Sequence, residues 1–547
     1  MEQMEPALAM VWSGWGDPAR RHGLPAHAAA FLQRELGWKD RATPPVALAE
    51  VRLRSPALPA VLAGRLAEIV GAAHLRDDRE SRMLHAGGKS YPDLIRRRTG
   101  DAEAAPDAVV SPAGHEQVLA VLRACAEAGV AVVPFGGGTS VVGGVEPLRG
   151  RFPAVIALDL SRMNRLLSVD PLSLTATLEP GLRGVQAEAL LAAQGLTLGH
   201  FPQSYEHASI GGYVATRSAG QASTGYGRID ELVLGLRLAT PEGELVLGHG
   251  PASAAGPDLK ALVVGSEGTL GVITEVSLRV HRQPERRRYE GWFFRSWEQG
   301  TAAFRQLVQE GAAPDLCRLS DADETRTNLA LAGLSGLTGR ALAGYLRLRG
   351  YTGGCLAIVG WEGRTASVRA RRRASAQLLR SAGGLGLGQR IGRAWAHGRY
   401  SGPYLRDDLL DHGVLVETVE TAASWSRLHP VYQAVRAALQ GALAQRGTPP
   451  LVLCHVSHLY PTGASLYFTF LASAEPGREL EQWRAAKLAA SEAIVGSGAT
   501  ITHHHAVGTD HAPYYLAEVG ALGIAAVRAV KDRLDPQGIL NPGKLLP

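Results

Sequence analysis

Three features of the 547-residue chain offer side chains able to move protons or hold anions. Thr502-His503-His504-His505-Ala506-Val507-Gly508 sets three imidazoles side by side near the end of the chain. Imidazole titrates near neutrality and ligates metals, so the run suits proton transfer or metal binding. On an extended backbone adjacent side chains alternate, so at most His503 and His505 would point the same way. That arrangement is poor for three ligands on one ion, no carboxylate stands at helical spacing to complete a set, and no metal is expected. Tyr467 lies in an apolar run, residues 466–471, where propensity alone reads it as a core aromatic of a strand. Arg318 and Arg406 are able to hold a phosphate or carboxylate bidentately, although a lone arginine is usually a surface charge.

Glycine marks a second set of stretches. Pro134-Phe135-Gly136-Gly137-Gly138-Thr139-Ser140 follows the apolar run 130–133. Three glycines without Cβ let the backbone bend and approach a ligand, and successive amides there make a nest for phosphate oxygens. Thr139 and Ser140 add hydroxyl donors. The pattern is neither a P-loop nor a G-x-G-x-x-G; alone, it reads equally well as a surface turn. Three further stretches follow it in order. The first is Gln203-Ser204-Tyr205-Glu206-His207-Ala208-Ser209-Ile210-Gly211-Gly212 with Thr216-Arg217-Ser218-Ala219. The second is Tyr226-Gly227-Arg228. The third is Gly265-Ser266-Glu267-Gly268-Thr269-Leu270-Gly271-Val272-Ile273.

The elements that must position these groups follow from periodicity and punctuation. Helical texture covers 58–73, and 82–100 reads as a polar connection turning at Tyr91-Pro92. Strands are expected at 107–110, 130–133, 154–160, 173–178 and 232–240. Helices are expected from Ser111-Pro112 to Ala128, stopped by Gly129, and over 182–194, stopped by Gly195. Thr240-Pro241-Glu242-Gly243 reads as a hairpin turn. Arg282–Arg288 reads as a charged linker. Beyond it, helices at 365–382 and 428–446 flank strands at 356–361 and 466–471, and a final helix covers 521–533. The domains expected are 1–100, a helical segment and connection; 101–285; 286–491; and 492–547, which returns to the second of these.

A chain of this length, with 46% hydrophobic and 20% charged residues, builds two or three soluble cores. A net charge of +6 is too mild for nucleic acid. Four scattered cysteines (Cys125, Cys317, Cys355, Cys454) point to reduced thiols in a cytoplasmic protein. The opening residues lack the pattern of a signal peptide, and no run is apolar enough to span a bilayer.

Taken together, the glycine stretches resemble the FAD-binding domain of the vanillyl-alcohol oxidase superfamily, also called PCMH-type. The resemblance implies an α+β fold, with two α+β subdomains gripping FAD under an α+β cap. It implies diphosphate on Gly136–Ser140, with 203–209, 216–219 and 267–273 lining the rest. Asn541-Pro542-Gly543-Lys544 is similar to the superfamily's usual ending. Asp159-Leu160-Ser161-Arg162-Met163-Asn164-Arg165, Arg318-Leu319-Ser320-Asp321, Tyr404-Leu405-Arg406-Asp407, Glu417-Thr418-Val419-Glu420-Thr421 and the histidine run resemble the alkyldihydroxyacetonephosphate synthase (alkylglycerone-phosphate synthase) family, over residues 85–547.

That family exchanges the acyl chain of acyl-dihydroxyacetone phosphate for a fatty alcohol, without net redox change, through a flavin N5 adduct. The resemblance gives Tyr467 the catalytic base, His503, His504 and His505 and Arg318 places beside the flavin, and Arg406 the substrate phosphate. His455, at the polar end of the substrate pocket, stands where animal members carry arginine. It further implies lipid-like substrates and a homodimer; long acyl chains call for an apolar tunnel and a peripheral membrane contact, for which an amphipathic piece within the first hundred residues is the candidate. No peroxisomal address is visible, and a bacterial cytoplasmic enzyme is the simplest reading. Two other functions fit the same scaffold: an FAD-dependent oxidase or dehydrogenase of a 2-hydroxy acid such as lactate or glycolate, and a non-catalytic FAD- or lipid-binding protein.

Overall fold

The computed structural model describes residues 10–331 and 337–546; the first residues of the opening segment lie outside it. Three large sheets and a two-stranded pair, His281–Arg282 with Leu196–Thr197, are formed by the described residues. In the first, Ala108–Val110, Val155–Asp159 and Ala131–Phe135 run parallel, with Leu75–Arg76 added antiparallel at the edge. The central strands read as continuous Val/Ile/Leu runs because both faces are buried. Helix His115–Ala128 packs on this sheet through Val118, Val121, Leu122 and Cys125, and Gly129 (φ 62°) ends it. It starts later than expected: Gly114 is extended, and the Ser111 amide is taken by the carbonyl of His74.

The second sheet is antiparallel, in the order Leu166–Asp170, Thr175–Leu178, Val272–Arg279, Val233–Thr240, Gly243–Leu247, the last two forming the expected hairpin. Helix Gly184–Ala192, shorter than expected, covers it. The third sheet runs Leu385–Gly388, Arg286–Phe294, Cys355–Gly363, Leu316–Ser320, Leu451–Val456, Gly463–Ser473, Val414–Ser424, with Leu459–Tyr460 paired to the penultimate strand. Helices Thr365–Ser381, Trp425–Gln445 and Glu479–Gly496 bury Leu379, Val435, Leu439 and Ala490 against it. All four cysteines are free and buried.

Several expectations are corrected. Residues 82–100 hold helices rather than a polar connection: Arg79–Leu84, capped by Asp78, and Tyr91–Arg98, where Ser90 caps and Pro92 occupies the first turn. The charged linker is largely strand. Arg286–Phe294 pairs along its length with Cys355–Gly363, and its arginines meet buried carboxylates, Arg287 with Glu362 and Arg288 with Glu290. The last helix runs Ala512–Leu534 with a break at Gly520.

The end of the chain closes back on the first sheet. The Val132 amide donates to Ile539, and the Asn541 amide to Val132. The Asn541 side-chain amide donates to the carbonyls of Gly144 (3.1 Å) and Glu267 (2.6 Å).

Candidate active site

Gly136–Ser140 leaves the C-terminal end of strand Ala131–Phe135, the end at which open parallel sheets bind ligands. The amides of Gly137, Gly138 and Thr139 donate to no acceptor among the described residues, so three successive donors stand ready for an anion. The glycines are required by packing. A Cβ on Gly136 would collide with the Ser209 hydroxyl, one on Gly137 with the His207 carbonyl, and Gly138 has φ 64°. Pro134 meets Gly268. The loop 134–140, the segment 203–209 and the turn before Val272–Arg279 therefore assemble as one cradle. Thr216–Ala219 joins them through the Glu267 amide on Ala215 (3.0 Å) and through Ser218, hydrogen-bonded to His200 (2.7 Å). This donor set fits a dinucleotide diphosphate.

Not every expected cofactor residue faces the cradle with its side chain. Glu206 pairs with Arg20 (3.0 Å) and Arg217 with Asp230 (2.8 Å). Gln203 donates to the Arg399 carbonyl (3.0 Å) and Tyr205 stacks on Tyr400. Leu270 is buried, and Val272 and Ile273 are core residues, so only their main chain is free to meet a ligand. Arg183, absent from the sequence reading, donates to the His207 carbonyl (2.6 Å) and lies beside Gly137. Burial lowers its basicity.

Glu267 ties this cradle to the histidine run. Its carboxylate accepts the amides of Val507 and Gly508, both at 2.8 Å. Burial raises its pKa to about 7, against those two hydrogen bonds.

Tyr467, on strand Gly463–Ser473, lies between two imidazoles. His455 stacks on it (4.9 Å, 20°), His504 does so at 5.9 Å and 18°, and His505 meets it edge-on at 5.5 Å. Burial raises the phenol to about 12, opposed by the Thr418 side chain. The phenol therefore carries its proton at neutral pH.

The histidine run does not alternate. It turns around one buried carboxylate: Glu420 accepts the amides of His503 (2.9 Å), His504 (3.2 Å) and His505 (3.1 Å) and the Thr502 hydroxyl (2.5 Å). Burial opposes ionisation of Glu420, but His504 and the other imidazoles hold it well below the ordinary carboxylate range. His503 Nε2 meets the Tyr460 hydroxyl (2.6 Å), and its ring stacks on His458 (4.9 Å). Burial depresses His503 to about 3 and His505 well below the usual range. Both imidazoles are therefore held in the neutral form.

Arg318 donates to Glu324 (2.7 Å) and lies 3.0 Å from His455 Nδ1. Burial works against the Glu324 carboxylate, yet His455 and Arg318 together lower it to about 2. Arg318, His455, Tyr467 and the histidine run therefore form one cluster. Arg406 stands on the cradle side instead. On helix Gly402–Asp411 it donates to the Lys89 carbonyl (2.8 Å) and to Asp407 (3.1 Å). The Lys89 amide in turn donates to Ser140 (2.6 Å). Glu420, Glu324, His458 and Thr418 have no role in the sequence reading, although Glu420 and Thr418 sit in a family-like stretch; strand pairing is the signal that places them.

Residues 106–247 match the family described as an FAD binding domain, and 283–545 the C-terminal domain of FAD linked oxidases. A relative from Dictyostelium discoideum, alkyldihydroxyacetonephosphate synthase, is 32% identical over 100% of this chain and 95% of its own. A solved alkyldihydroxyacetonephosphate synthase superposes with TM-score 0.86 at 30% identity, over 98% of this chain and 99% of that one. Substrate-bound p-cresol methylhydroxylase shares the fold (TM-score 0.66, 16% identity, 89% and 96% covered). The unpaired amides after Phe135, the α+β sheets around them and this full-length similarity place the chain, an FAD-dependent enzyme, in the alkyldihydroxyacetonephosphate synthase family.

Proposed function

We propose that this chain replaces the acyl chain of an acyl-dihydroxyacetone phosphate by a fatty alcohol. The ester C–O bond at the substrate carbon breaks, the carboxylate leaves, and the alcohol oxygen bonds to that carbon as it loses its proton, so no net electrons move. The observation that carries this reading is Tyr467 held between His455 and His504, beside neutral imidazoles and an arginine. Bound FAD supplies an electron-accepting ring for the exchanging carbon.

The chain's own residues handle protons and anions. An imidazole of the histidine run takes the proton from the carbon beside the ketone and returns it to that carbon once the alcohol has added. Tyr467, with its phenol protonated, hydrogen-bonds to the leaving ester oxygen as the carboxylate departs. Arg318 offers its fork to the departing carboxylate, and Arg406, near Ser140, the substrate phosphate. Residues 203–209, 216–219 and 267–273 complete the FAD site, with the chain folding as domains near 1–100, 101–285, 286–491 and 492–547.

We further infer a homodimer in the cytoplasm that touches membranes from which its lipid-like substrates come. No helix among the described residues is long and apolar enough to cross a membrane. Large exposed apolar side chains instead gather on helix Ala512–Leu534 as Leu516, Val519 and Leu522, whereas the described part of the first hundred residues contributes Val61. This supports that helix as the contact surface. Co-sedimentation with liposomes tests it: Leu516→Asp with Leu522→Asp releases the protein if the reading holds and leaves it bound if another surface docks.

A further inference from the structure

One ring nitrogen from each of His458, His503 and His504 lies within 4.8 Å of the others, the one such grouping of His, Cys, Asp or Glu among the described residues. We propose that these three imidazoles bind a single divalent cation of the zinc class, a site the sequence alone argues against. Two of the ligand atoms already face each other, with Nδ1 of His503 and Nδ1 of His504 3.0 Å apart. Two ring nitrogens at that separation share one proton between them. A tetrahedral zinc–nitrogen site has ligand atoms about 3.3 Å apart, so a cation takes the place of that proton with a small movement, and His458 closes the remaining distance.

The far sides of the rings are tied down. His458 Nδ1 meets the Ser223 hydroxyl (2.7 Å), and when it donates there its Nε2 lone pair is free. His503 Nε2 meets the Tyr460 hydroxyl (2.6 Å). Such outer partners fix the tautomer and orientation of ligating histidines. The Glu420 carboxylate, 3.3 Å from His504 Nδ1, supplies the negative charge that three neutral ligands lack. When the cation enters, the ring holding the shared Nδ1 proton moves it to its own Nε2, so the pair releases no net proton. Solvent supplies the fourth ligand.

Occupancy removes His503 and His504 from proton transfer. Zinc is therefore a reversible inhibitor, a consequence that rests on the proposed function, whereas binding itself does not. Calorimetric titration of the FAD-loaded protein with zinc chloride tests the site. The expected result is one equivalent bound, with affinity at least tenfold weaker in His458→Gln, while melting temperature and flavin content stay unchanged. Ser223→Ala, which keeps all three nitrogens, weakens binding about tenfold as loss of an outer partner does; it decides the matter should the His458 variant not fold. Cobalt(II) absorption to the red of the flavin bands reports tetrahedral nitrogen ligation. No saturable uptake, or equal affinity in both variants and wild type, overturns the site. Binding with unchanged ether formation overturns only the inhibition.

Discussion

Glu420 and Tyr467 are direct cross-strand partners, paired in register between Val414–Ser424 and Gly463–Ser473. One strand thus presents the phenol and its neighbour presents the carboxylate around which the histidine run turns. Removing that charge leaves three amides and a hydroxyl facing a side chain that only partly satisfies them. Glu420→Gln is expected to cost about 3 kcal/mol, the range for breaking a buried charged network, and to lower turnover about 100-fold through misplaced imidazoles. Denaturant unfolding and steady-state rates check both. Because the folded pKa of Glu420 is depressed, its contribution is present above the ordinary carboxylate value and is lost as pH falls through the folded one. The gap between wild type and variant should therefore narrow in strong acid.

Tyr467→Phe keeps the ring stacked by His455 and His504 and deletes only the hydroxyl. Turnover should fall about 100- to 1,000-fold, the range of a lost hydrogen-bond donor to a developing anion, with melting temperature and flavin content unchanged. Unchanged product formation, measured by mass spectrometry, would strip the phenol of its role.

Glu267 behaves in the opposite sense to Glu420. Its folded pKa of about 7 exceeds the ordinary 4.5, so the folded state holds its proton more tightly. The associated stability is present below the ordinary value and lost as pH rises through about 7. Asp510, raised to about 7 by burial, titrates in the same window. Only the difference between wild type and Glu267→Gln isolates Glu267: melting temperature should fall less steeply from pH 5 to 8 in the variant. Parallel curves would contradict this.

Gly137→Ala drives a Cβ toward the His207 carbonyl and to 2.7 Å from Arg183 Nη1. The diphosphate cradle then opens or distorts, and the purified variant should carry far less FAD than wild type. Flavin absorbance relative to protein absorbance measures it, and full occupancy would move the diphosphate elsewhere.

Much of the cradle is legible in the residues themselves, because three successive glycines follow an apolar strand. The strand Arg286–Phe294 is not, since consecutive arginines look solvated until Glu362 is seen on the paired strand and Glu290, two residues beyond Arg288 on the same one, is seen to be buried. The histidine turn was illegible for a similar reason. Its amides are held by a carboxylate 83 residues earlier than His503, and no local pattern announces such a partner. Likewise His458 becomes a neighbour of His503 only once the third sheet has formed.

Exchange at carbon without net oxidation leaves a signature in both the products and the flavin. The FAD-loaded enzyme is incubated with palmitoyl-dihydroxyacetone phosphate and hexadecanol while products are read by mass spectrometry and the flavin by absorbance. Hexadecyl-dihydroxyacetone phosphate and palmitate are expected in equal amounts, with the flavin oxidised at the end. No ether product, together with flavin bleaching by lactate or glycolate, would contradict it.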